Sequence, residues 1–75
     1  MKINLEIASV PDREGLVVEL WRDNYLLAEV SKCEIRKEYV LEIYSSTEGG
    51  KLIVDLDVFS LALSKAKIIL AEMNE

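Results

Sequence analysis

One cysteine and no histidine stand among the 75 residues of this chain, and their scarcity limits the chemistry it can perform. A nucleophilic thiol at Cys33 needs a nearby cation or a helix N-terminus to become a thiolate, and Lys32 and Lys37 are its neighbours in sequence. A pairing that loose arises by chance, so Cys33 reads as a structural or incidental thiol. A single cysteine closes no disulfide within the chain, and without histidine no zinc site is expected. Asp55 and Asp57 are two carboxylates with no third metal ligand beside them, and helix capping accounts for them directly. Gly49-Gly50-Lys51 lacks the spacing of a phosphate-binding loop, and Leu52 follows where that motif carries Ser or Thr. A paired-carboxylate hydrolase requires a cleft that raises one of two pKa values, and a single sheet with one helix offers little concavity. The expectation is a non-enzyme with no catalytic residue, no metal site and no cofactor.

The residue types that remain suit binding. With Arg22-Asp23-Asn24 taken as a three-residue hairpin loop and Asn24 in the left-handed conformation, Leu16, Val18 and Leu20 fall opposite Val30, Ala28 and Leu26. That face is wholly apolar. The other face sets Val17, Glu19 and Trp21 opposite Glu29, Leu27 and Tyr25, and neighbouring strands add Glu6, Glu38, Val40, Glu42 and Tyr44 to it. Aromatic residues dominate interface hot spots, and carboxylates around them select a cationic partner. Glu19, Trp21, Tyr25, Glu29, Glu42 and Tyr44 are therefore the candidate partner-binding residues. A plainer account makes Trp21 and Tyr25 a stabilising cross-strand pair and leaves the glutamates to solubility, or folds a terminus or the segment 45–54 over the face.

These side chains need a scaffold, and alternation supplies one. Ile3, Leu5 and Ile7 alternate with Lys2, Asn4 and Glu6, while Tyr39, Leu41 and Ile43 alternate with Glu38, Val40, Glu42 and Tyr44. Strands are expected over residues 2–8, 16–21, 25–31 and 38–44, joined by short connections into an antiparallel meander in sequence order. The turn type between the third and fourth strands is not fixed by the sequence. Ser45-Ser46-Thr47-Glu48-Gly49-Gly50 is loop chemistry, and Lys51 to Val54 is either a fifth strand or an extended lead-in. A helix follows over about 56–73, capped by Asp55 or Asp57, with Phe59, Ala62, Leu63, Ala66, Ile69, Leu70 and Met73 as its apolar stripe. The expected class is α+β: one domain in two layers, a four-stranded antiparallel meander with one C-terminal helix packed on one face. Its core should hold Ile3, Leu5, Ile7, Val18, Leu20, Leu26, Ala28, Leu41, Ile43, Phe59, Leu63, Ala66 and Leu70.

Composition narrows the partner. Hydrophobic residues make up 51% of the chain and charged ones 31%, which is globular composition. Fourteen acidic against nine basic residues give a formal net charge of −5, which disfavours nucleic acid and anionic membranes and would steer a basic protein surface inward, although on charge alone the plainer reading, solubility only, comes first. The start of the chain alternates where a signal peptide needs an unbroken apolar core, and no apolar run approaches membrane-spanning length, so a cytoplasmic protein is expected. A chain this short buries only about 60% of its unfolded surface, which makes self-association a natural source of extra burial. Val58, Leu61 and Ile68 widen the apolar arc of the helix beyond its core stripe, and Leu61 and Ile68 are the candidate self-association residues unless Leu52-Ile53-Val54 covers that flank.

The order of parts, with paired strands ending in LEIY at Leu41 to Tyr44 and then LDVFSLALSKAKIIL at Leu56 to Leu70, resembles small acidic meander-plus-helix proteins that act as immunity or antitoxin partners in bacterial toxin systems. That resemblance spans most of the chain and implies tight, stoichiometric inhibition of a basic toxin. It assigns no residue a role. The leading expectation is thus a small binding protein that neutralises a basic protein partner. The alternative is a self-associating structural or accessory protein. A homodimer through the sheet face would set glutamate against glutamate, so the helix flank is the better surface for self-contact.

Overall fold

The computed structural model describes residues 1–9, 15–33, 35–44 and 51–73. Strands β1 (Asn4–Ser9), β2 (Leu16–Arg22), β3 (Tyr25–Cys33) and β4 (Glu38–Ile43) form an antiparallel sheet in the order β1-β2-β3-β4, and helix α1 (Leu56–Met73) packs against it. The class is α+β, with the sheet and the helix as two layers. Gly15 enters β2 at φ 83°, a backbone position that residues with a Cβ avoid.

Between β2 and β3 the structure corrects the expected register. The loop has two residues, Asp23 and Asn24, flanked by the Arg22–Tyr25 pair, and Asp23 rather than Asn24 takes the positive φ, at 54°. Shortening the loop by one residue turns the start of β3 over, because side chains alternate faces with a period of two. Tyr25 therefore lies opposite Arg22, and Leu26 lies opposite Trp21. A bulge then shifts the register between Leu20 and Trp21, so that Leu20 pairs with Ala28, Glu19 with Glu29 and Val18 with Val30. Two displacements of one residue add to two, which restores the faces. From Ala28 onward the faces are as expected although each partner differs by two positions, whereas Tyr25 and Leu26 have exchanged sides.

The core lies between α1 and the central strands. Val18, Leu20, Leu27, Ala28 and Val30 meet Ala62, Ala66 and Leu70, with Ile3, Leu5, Tyr25, Tyr39, Leu52, Val54, Phe59, Leu63 and Ile69 packed around them. Each fully buried aliphatic side chain of this kind stabilises the fold by roughly 1.5–3 kcal/mol. Leu26, expected in the core, stays outside this cluster, and Leu27, expected on the open face, is wholly buried within it. Ile7, Leu41 and Ile43 are also more exposed than expected, at 52%, 41% and 54%. They sit on the two edge strands, and one helix over the two central strands does not reach that far. Met73, at the last turn of the helical stripe, is exposed as well.

Residues 51–55 form no strand and lead directly into the helix. Leu52 and Val54 pack against the core, and the Arg22 guanidinium donates to the Ile53 carbonyl at 3.0 Å, which ties the lead-in to the end of β2. Asp55 is the cap: its Oδ1 accepts the Val58 amide at 2.9 Å, and its carbonyl accepts the Phe59 amide at 3.0 Å. Asp57 sits in the first turn, where the helix dipole favours a negative charge. Among the described residues no helix is long and apolar enough to cross a membrane.

Candidate partner-binding face

The face of the sheet turned away from α1 carries a row of glutamates. Glu6 lies opposite Glu19, Glu19 opposite Glu29, and Glu29 opposite Glu42, so one carboxylate from every strand stands in a single line across the sheet. Directly opposed side chains in antiparallel strands have Cβ atoms about 4.5–5.5 Å apart, and like charges at that spacing repel. The line reaches all four strands because β1, β3 and β4 each place their glutamate at the register position that continues from Glu19.

Aromatic donors hold two of these carboxylates. Trp21 Nε1 donates to Glu19 Oε1 at 3.1 Å, and the Tyr44 hydroxyl makes a longer contact, 3.5 Å, with Glu42 Oε2. In both pairs the partners are two residues apart, as side chains on the same face of one extended segment must be. Trp21, Glu19, Glu42 and Tyr44 are half-buried, so the aromatic rings brace the carboxylates while leaving them open to solvent.

Glu29, at the middle of the row, is only 9% exposed. Val17 and Ser31, on the same face and next along their strands, are buried too, and Val17 lies outside the helix-side cluster. The open face is thus covered at its centre and accessible toward Glu6, Trp21, Glu42 and Tyr44. Of the segment 45–54, one expected cover for this face, residues 45–50 lie outside the described residues, and Leu52 and Val54 pack against the helix-side core instead.

Of the six residues expected to bind a partner, the structure brings Glu19, Trp21, Glu29, Glu42 and Tyr44 to one face and separates Tyr25 from them. Tyr25 packs against the helix-side core, and its hydroxyl donates to the Tyr44 carbonyl at 2.8 Å, a structural tie across the end of the sheet. The expected Trp21–Tyr25 pair does not form, because the shorter loop sets Leu26 opposite Trp21. Leu61 and Ile68 are each 57% exposed, so the packing of Leu52 and Val54 leaves them open.

Sequence reasoning placed Glu6 on this face but not within the site, and it missed Asn4, Asp23 and Asn24. Together with Trp21 and Glu6 these line a pocket of about 230 Å³ where the start of β1 meets the β2–β3 loop. Asn4 is the residue paired with Trp21 on β1, a placement that only the register of the sheet reveals.

Lys32 and Lys67 stack on the Tyr39 ring, at 5.9 and 5.2 Å from its centroid, on the side that α1 covers. Arg22 reaches the Ile53 carbonyl and the Met1 sulfur. Among the described residues no group of three or more His, Cys, Asp or Glu side chains converges to hold a metal ion. Comparison with protein-family models, curated proteins and solved structures finds no match for this chain.

Proposed function

We propose that this chain is a small non-catalytic binding protein whose acidic sheet face covers a basic protein partner, as an immunity protein or inhibitor does. The row Glu6–Glu19–Glu29–Glu42 carries this proposal. The Glu6–Glu19 and Glu19–Glu29 like-charge pairs work against folding, and local conflicts of that kind persist in natural proteins chiefly where function needs them. A lysine- or arginine-rich surface laid on the accessible part of the row, at Glu6 and Glu19, relieves the conflict there, and the net charge of −5 steers such a surface inward. Trp21 and Tyr44 beside the row supply contact area that desolvates the ion pairs. Neither nucleic acid nor a membrane surface matches this charge, and no cofactor or metal enters the proposal. A toxin is the kind of basic partner that the sequence resemblance implies, and a cytoplasmic setting accords with the free thiol of Cys33.

The test is binding kinetics on the partner recovered from the source cell. Glu19→Lys and Glu42→Lys should mainly slow association and flatten its salt dependence, because peripheral charges steer encounter. Trp21→Ala should mainly speed dissociation, with a loss of at least about 2 kcal/mol. Three folded variants that bind like the parent would dismiss the proposal.

A second reading has its own observation. Leu61 and Ile68, seven residues apart on one side of α1, are each more than half exposed, and Leu61 joins Ile3, Leu5, Val58 and Ala62 in lining a groove of about 240 Å³ between the helix and the edge strand β1, with Lys2 and Lys65 also lining it. Surplus apolar surface at a helix flank suits contact between copies of the chain, leaving the acidic face for a foreign partner.

A further inference from the structure

We infer that the pocket at Trp21 is a receptor for one arginine side chain of the basic partner, and so supplies the anchor of the acidic face. This rests on the proposed binding of a basic protein and adds to it where, and by which cation, the partner is held. The pocket is lined by Asn4, Glu6, Trp21, Asp23 and Asn24, which bring two carboxylates, two amides and one indole and, among the described residues, no lysine or arginine. Trp21 Nε1, the sole donor of the indole, is already engaged by Glu19, so what the ring offers the pocket is π surface.

That combination discriminates between cations. A guanidinium is planar, weakly hydrated, stacks on aromatic faces and directs five N–H donors in a fixed fork, which the Glu6 and Asp23 carboxylates and the Asn4 and Asn24 carbonyl oxygens can accept. A lysine ammonium has three donors, holds its water more strongly and cannot stack in the same way. Glu6 and Asp23 approach from different elements, β1 and the β2–β3 loop, and the sheet register fixes both relative to Trp21. The pocket also adjoins the exposed end of the glutamate row, where a partner's further basic residues would continue toward Glu19 and Glu42.

Trp21 is the only tryptophan in the chain, so its fluorescence reports on this pocket alone. The probes are the capped tripeptides Gly-Arg-Gly, Gly-Lys-Gly and Gly-citrulline-Gly, with capped hexa-arginine as a probe of the whole face. Gly-Arg-Gly should change the Trp21 emission saturably and bind on the order of tenfold more tightly than the citrulline peptide, which keeps the shape and loses the charge. The lysine peptide should fall between them. Glu6→Gln and Asp23→Asn should each weaken Gly-Arg-Gly roughly two- to fivefold, whereas Glu72→Gln, an equal change of charge on the exposed face of α1, should leave it unchanged. Asn tolerates the positive φ at position 23, so that variant keeps the loop. Equal affinity for arginine and citrulline peptides, no saturable change with Gly-Arg-Gly, or an equal loss in Glu72→Gln would overturn the pocket. Hexa-arginine separates the two levels. Binding that weakens in Glu42→Gln but not in Glu6→Gln or Asp23→Asn rejects the pocket and leaves the acidic face standing, whereas no binding at all rejects the face itself.

Discussion

The two faces of one sheet obey opposite rules. On the side of α1, Val18, Leu20, Ala28 and Val30 meet Ala62, Ala66 and Leu70 with almost no exposure, and charged side chains stay at the margin, Lys32 and Lys67 over the Tyr39 ring and Arg22 on a carbonyl. On the other side four glutamates stand directly opposed, with Trp21 and Tyr44 as their braces. The first face lowers the free energy of folding. The second sets like charges against each other, a cost that the proposed recognition of a basic partner would explain. Because both are displayed by the same β2 and β3 backbone, the comparison can be broken by substitutions a single residue apart.

The largest effect is expected on the helix side. Leu70→Ala removes a wholly buried side chain from the end of the helix stripe and should cost about 2–5 kcal/mol, read as a fall in the denaturation midpoint. For a domain of this size that is a large share of the total stability. Phe59 is only half-buried, so Phe59→Ala should cost less, about 2 kcal/mol, although it removes a larger side chain. Were Phe59→Ala the more damaging of the two, the weight of the core would lie nearer the start of the helix than the burial of Leu70 indicates. Asp55→Ala removes the cap on Val58 and should cost about 1 kcal/mol without altering any contact of the open face.

The flank of the helix forms a third territory, where stability and association should separate. Leu61→Lys and Ile68→Lys should change stability by no more than about 0.5 kcal/mol, since both side chains are more than half exposed. If copies of the chain meet there, each should shift the sedimentation profile toward monomer. A parent that sediments as a monomer at high concentration would remove self-association from this surface.

Much of the fold was legible in the sequence because its signals are long. Alternation over β1 and β4 and an uninterrupted helical stripe from Phe59 to Leu70 each involve many residues pointing the same way. The register between β2 and β3 turns instead on a single residue at the loop and another at the bulge, and neither leaves a pattern in composition. Asp23 and Asn24 both tolerate positive φ, so the sequence alone did not choose between a two-residue and a three-residue loop. This is why Glu19, Glu29 and Glu42 could be assigned to one face while their direct opposition could not be seen, and why Tyr25 was assigned to the wrong side. The exposure of Ile7, Leu41 and Ile43 was hidden for a different reason. Alternation reports which face a residue takes but not how far the covering helix extends.

Glu29 is the place to test whether the glutamate row opposes folding, since it faces Glu19 on one side and Glu42 on the other. Chemical denaturation of Glu29→Gln and of the parent, at low and at high ionic strength, measures the repulsion directly. Removing this charge relieves the Glu19–Glu29 like-charge pair while keeping the side-chain shape. The variant should be more stable than the parent by roughly 0.2–1 kcal/mol at low salt, with the gain shrinking as salt screens the neighbours. A Glu29→Gln protein that is equally or less stable at low salt would mean that the row is a structural element of the sheet, and the case for a basic partner would lose its foundation.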